Sequence, residues 1–227
     1  MLRPLALCLL ALTALPASAE FDPGVIETTA GWWFLADSAT GAGCNLHLVA
    51  DEAIGGHGLE APAGCKVGGQ SADDLAAWNL GEGQIIFLDA VRHVLFRLDE
   101  QEDGSWTENA GGPLVLMPSD KDMVALTTAA AATGSWGLAR PGGPTLCRVT
   151  LANQPQASGE GNLSLSVARD CDAAIAGLKL DGWMIEGADL VLHGAGSRTL
   201  SFRADGKGGF AKAMKEGGKP LVMTRGP

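Results

Sequence analysis

Residues 31–44 read GWWFLADSATGAGC, and residues 134–147, about 103 positions later, read GSWGLARPGGPTLC. Trp33 and Trp136 hold the same place in the two stretches, and Cys44 follows Gly31 at the distance at which Cys147 follows Gly134. The correspondence continues in order. Cys65 answers to Cys171, Trp78 to Trp183, Phe96-Arg97 to Phe202-Arg203, and Pro113-Leu114-Val115 to Pro220-Leu221-Val222. Landmarks kept in one order at one offset mark an internal duplication. The chain therefore divides into units 31–118 and 134–227, with a linker at 119–133 that opens on polar residues and ends in an alanine run. No amphipathic stripe runs through those alanines, so a turn of helix there has no face to bury.

The duplication also bears on the cysteines. If each unit folds by itself it owns one pair, which predicts bonds Cys44–Cys65 and Cys147–Cys171. Closing loops of this length contributes about 3 kcal/mol in the chain-entropy model. Cys44 and His47 have a metal-like spacing, but the second unit carries Thr150 in place of that histidine, and zinc needs four ligands. No metal and no cofactor are expected.

Within each unit the apolar pattern has period two. Leu46 and Leu48 alternate with Asn45 and His47, and Leu163, Leu165 and Val167 alternate with Ser164 and Ser166. Further strands are predicted at Ile85–Leu88, Val91–Leu98, Asp189–His193 and Arg198–Arg203, separated by glycine-rich turns. Only Ala72–Ala77 and Asp172–Ala176 have a locally helical pattern. Many short strands in ~100 residues point to an all-β fold, a closed barrel or a sandwich. Trp33, Trp78, Trp136 and Trp183 recur at equivalent places, which makes them the core of each unit.

Ahead of the first unit, Arg3, the apolar run Leu5–Leu15 and Ala17-Ser18-Ala19 form a signal-peptide pattern over 1–19, so the mature chain is expected to begin at Glu20. That run is shorter than the ~20 residues a membrane span needs. Cys8 lies inside it and leaves with the leader. Sixteen basic against twenty-six acidic side chains argue against a nucleic-acid partner. The catalytic inventory is thin: no His-Glu-x-x-His, no Gly-x-Ser-x-Gly and no phosphate-cradling glycine loop. His47, His57, His93 and His193 fall on predicted strands or turns without a repeated partner, and Asp73-Asp74 and Glu100–Asp103 read as solvated loop carboxylates. The chain is not expected to be an enzyme.

Taken together, the Gly-x-Trp, the spaced cysteines, the tryptophan, the Phe-Arg strand and the closing Pro-Leu strand resemble the bacterial alkaline proteinase inhibitors, the Inh family, and the related inhibitor-like outer-membrane lipoprotein domains. The resemblance covers both units, whereas the family members it resembles carry one barrel. It implies two tandem small antiparallel, lipocalin-like, eight-stranded β-barrels, each with one disulfide. It also implies that the partner is a secreted zinc metalloprotease of the serralysin type, met by an N-terminal tail, residues 20–30. In that tail Glu20, Phe21, Asp22, Pro23 and Gly24 would contact the protease. The exposed α-amino group, with a pKa near ~8, would ligate the catalytic zinc once deprotonated, while Phe21 fills an apolar pocket and Pro23 lowers the ordering cost. A monomer in the periplasm or outside the cell is the expected state. A lipocalin-like carrier and a structural envelope module are the alternatives.

Overall fold

The computed structural model of the chain describes residues 23–156, 162–213 and 217–226. The leader 1–19, the cleavage point at Ala19, Cys8 and the tail residues Glu20, Phe21 and Asp22 lie outside the described residues.

The first unit opens with a short helix, α1 (Pro23–Thr29), followed by β1 (Gly31–Asp37), β2 (Gly43–Ala53), β3 (Gly56–Glu60), β4 (Lys66–Val67), β5 (Gln70–Ser71), β6 (Ala77–Gly81), β7 (Gln84–Leu88), β8 (Val94–Glu100), β9 (Trp106–Glu108) and β10 (Leu114–Pro118). The second follows α2 (Ala129–Ala132) with β11 (Gly134–Ala139), β12 (Thr145–Pro155), β13 (Leu163–Val167), α3 (Ala173–Ala176), β14 (Leu180–Glu186), β15 (Asp189–Gly194), β16 (Arg198–Ala204), β17 (Phe210–Lys212) and β18 (Val222–Arg225). Each unit is a closed antiparallel barrel of eight strands. In the first, β1 pairs with both β2 and β10, and in the second β11 pairs with both β12 and β18, so neither sheet keeps a free edge. Strand neighbours in space are neighbours in sequence, the up-and-down order that short hairpin turns permit.

The strands form where period-two patterning placed them, because a barrel wall has one face to fill and one to wet. Trp78, Ile85, Phe87 and Leu98 are fully buried inside the first barrel, and Trp183, Leu190, Leu192 and Phe202 inside the second. Trp33 and Trp136 are buried with them. The bonds Cys44–Cys65 and Cys147–Cys171 each stay within one barrel, with Cα atoms 6.3 and 4.2 Å apart. In the first barrel Cys65 introduces the β4–β5 side hairpin, whose turn residues Gly68 and Gly69 have φ of 57° and 83°. Two successive positive φ values are what a tight hairpin turn asks of glycine. The second barrel replaces that hairpin by α3, capped by the Asp172 carboxylate on the Ala174 N–H at 2.9 Å.

The linker departs from the sequence-based expectation in two respects. The alanine run at 129–132 does form a helical turn with a buried face: Thr128 Oγ1 caps the Ala131 N–H at 3.1 Å, and Ala132 is fully buried against the second core. The burial comes from the barrel beneath it, which a helical-stripe argument over four residues does not see. The linker also packs. Its Leu126 N–H donates to Gly41 O (2.8 Å), and Asn45 Nδ2 donates to Met123 O (2.7 Å), which lays the segment along the outside of β1 and β2. Phe34 and Ala36 point outward from β1 yet are fully buried, covered by Met123, Leu126 and, from the second barrel, Ala188. Arg203 ties the linker to the second barrel through Asp120 at 3.3 Å and Asp189 at 2.9 Å.

Candidate functional site

Proline is well suited to the first turn of a helix, where its missing N–H has no partner to lose and its fixed φ is already helical. Pro23 and Gly24 accordingly open α1 and do not extend the tail as a strand, so the stretch expected to be tail from 20 to 30 is helical over 23–29. Seven residues are too few for a helix to hold by propensity. The barrel supplies the difference: Ile26 and Thr29 are buried over its mouth, and the Trp33 indole N–H donates to Thr29 O at 2.8 Å, satisfying a carbonyl at the helix end. The second unit repeats this device, with the Trp136 indole on Ala132 O at 2.7 Å. These two tryptophans therefore both fill the barrel and hold the chain that leads into it.

Depressions flank α1 on both sides. One groove, of about 620 Å³, is lined by Pro23, Ile26 and Glu27 of the helix and by Asp51, Glu52 and His57 of the β2–β3 hairpin. The other, of about 320 Å³, lies between Val25 and Thr28 and the rim residues Leu80, Glu100 and Trp106. Pro23, the first residue of the helix, thus borders the larger groove.

The two mouths differ in what secures the helix. Facing Trp136 across the closing strand is Arg225, whose guanidinium donates to Ala131 O at 2.7 Å and Thr133 O at 3.1 Å and lies 4.6 Å above the Trp136 ring. Facing Trp33 in the first barrel is Pro118, which has no cation to offer. A cation over an indole face, bonded to two helix-end carbonyls, clamps the helix at the second mouth. At the first mouth, among the described residues, burial of Ile26 and Thr29 and the Trp33 indole hold the helix.

The histidines are used in the wall. His57 shares a 2.8 Å hydrogen bond with Ala50 O and tilts against Trp78, His47 stacks on Trp32 and meets Glu60 at 3.1 Å, and His193 lies 3.5 Å from Glu186. Among the described residues no three His, Cys, Asp or Glu side chains gather as a metal site. The Asp73 carboxylate accepts from the Gly64 N–H, and Asp103 accepts from Ser105, so these acids order loops. Arg97, in the first unit's Phe-Arg pair, is exposed, unlike its counterpart Arg203.

Three turn carboxylates have pKa values held below the ordinary aspartate range. For Asp37 the Thr40 N–H is the main cause, and for Asp103 the Ser105 hydroxyl. For Asp89 partial desolvation pulls upward, and the His93 and Val91 N–H groups with the His93 charge outweigh it. A depressed folded pKa gives stability that is complete above the unfolded value near 3.8 and is lost as pH falls through the folded value. Melting temperature should therefore decline as pH is lowered from about 4 toward 2. A melting curve that stays put across that window would count against these turns as charge-stabilised.

The family model for protease inhibitor Inh matches residues 26–117 and again residues 126–225, one match for each barrel. No curated protein sequence matches the chain. With two matches spanning most of its length, each covering one disulfide-bonded eight-stranded barrel, the chain belongs to the protease inhibitor Inh family.

Proposed function

We propose that the mature chain begins at Glu20, is exported to the periplasm or beyond, and as a monomer inhibits a secreted zinc metalloprotease of the serralysin type through the segment that precedes the first barrel. The observation that carries this reading is the asymmetry of the two barrel mouths. The second is continuous with the packed linker and clamped by Arg225, while the first leads back from Pro23 at an open groove. An N-terminal segment leaving that mouth can lie along a protease's substrate edge as a strand does. Its α-amine, with a pKa of roughly 8, becomes a zinc ligand when it loses its proton. Glu20 adds a carboxylate and Phe21 an apolar anchor. Pro23 and Gly24, which open helix α1, are the residues at which the segment joins the barrel.

A carrier role finds less support, because fully buried Trp78, Phe87, Trp183 and Phe202 fill the interiors where a small molecule would sit. Mixing the chain from Glu20 onward with a serralysin-type enzyme and following peptide hydrolysis should show near-stoichiometric loss of activity, with a serine protease unaffected. Equal rates with and without the chain would dismiss the reading.

A further inference from the structure

Ile54 and Val91 are 73 % and 69 % exposed, the two most exposed of the large apolar side chains among the described residues. Each stands at the tip of a hairpin, Ile54 between β2 and β3 and Val91 between β7 and β8. Isolated exposed aliphatics are common on protein surfaces, so the setting has to distinguish these two.

The setting is built. The turn bearing Val91 is organised by Asp89, whose Oδ1 accepts from the Val91 N–H at 2.9 Å and the His93 N–H at 2.8 Å, with the His93 ring 3.2 Å from the other carboxylate oxygen. Arg92 takes φ of 70° in that turn and sends its stem over Gly55, so close that a Cβ at Gly55 would stand 3.2 Å from Arg92 Cγ. Gly55 directly follows Ile54. The two tips are thus braced against each other before any partner arrives, which lowers the ordering cost of binding.

Their placement connects them to the open mouth. Asp51, Glu52 and Ala53, which wall the larger groove beside Pro23, run directly into Ile54. A protein that takes up the segment before Pro23 meets the Ile54 tip on the same wall. Among the described residues the second barrel, whose mouth is clamped, shows no such pair: its β15–β16 turn carries Ala195, Gly196 and Ser197, and residues 157–161 between β12 and β13 lie outside the described residues. Apolar tips occur in the unit with the open mouth.

We propose that Ile54 and Val91 form a second contact on the protease, outside its active cleft, that seats against an apolar rim of the enzyme and sets which enzyme is held. This rests on the inhibitor reading above. The tail supplies the blocking group, common to any zinc protease cleft, and the tips supply discrimination between enzymes.

The test compares the chain from Glu20 with Ile54→Asp, Val91→Asp and the double variant, using the metalloprotease that the parent chain inhibits best. Each single change should raise the inhibition constant about tenfold, and the pair more than either alone but less than about a hundredfold, since braced neighbours do not add independently. Melting temperature should stay that of the parent, because both side chains project into water. Should the aspartate variants melt early, Ile54→Thr with Val91→Thr decides the matter, with a severalfold loss expected. Parent inhibition left within twofold by the variants would overturn the second contact and leave the inhibitor reading standing. A parent that inhibits no metalloprotease would remove both.

Discussion

Removing Glu20, Phe21 and Asp22 from the mature chain should weaken inhibition by roughly a hundredfold, the scale of losing a binding hot spot worth about 3 kcal/mol. The melting temperature should not move. Helix α1 starts at Pro23, and two of the contacts that hold it, Ile26 over the barrel mouth and the Trp33 indole on Thr29 O, lie downstream of the cut. A second arm isolates the amine: acetylating the amino end leaves every side chain in place and should cost a similar factor. Inhibition by the unmodified chain should tighten as pH rises through about 8, where the amine gives up its proton and can bind zinc. Undiminished inhibition by both altered chains would mean that the barrels themselves, and not the leading segment, block the enzyme.

Replacing Trp78 or Trp183 by alanine should destabilise the barrel concerned by about 3 to 5 kcal/mol, the range for emptying a buried aromatic site. Both indoles are fully buried and both are bonded. Trp78 Nε1 donates to Val49 O at 3.0 Å, while Trp183 Nε1 is shared between Ala152 O and Ser164 O at 3.1 Å each. Truncation leaves a void and also strands a carbonyl of the long second strand, which adds to the loss. The two variants should separate in function. The first barrel's core carries α1, so Trp78→Ala should loosen the base of the tail and impair inhibition near its own lowered melting point. Trp183→Ala should spare inhibition at temperatures where both barrels remain folded. Denaturant unfolding that detects less than about 1 kcal/mol for either change would show that these side chains do not organise the cores.

How much of this was legible beforehand follows from what kind of information each feature needs. The duplication was legible because tryptophan and cysteine are chemically hard to replace: a barrel of this size needs a few large rings and one bridge, and these recur at a fixed offset. The disulfide pairing followed from the same repeat. Strand positions followed from alternation, since a closed wall has an inside and an outside. The closed, eight-stranded character came from the family resemblance, because alternation alone fits a sandwich equally well.

Other features belong to the tertiary structure. Alternation places Phe34 and Ala36 outside the barrel and stops there; that the linker and Ala188 then bury them depends on a second surface far along the chain. Helix α1 is too short to announce itself, and exists because residue 33 returns an indole to residue 29. The Arg225 clamp joins residues more than ninety positions apart. By itself the sequence determined two bridged all-β units and their cores, because side-chain size, sulphur and polarity act within each strand and each repeat. Which mouth stays open, and which outer face is covered, was decided only when the closed barrels brought distant segments against one another.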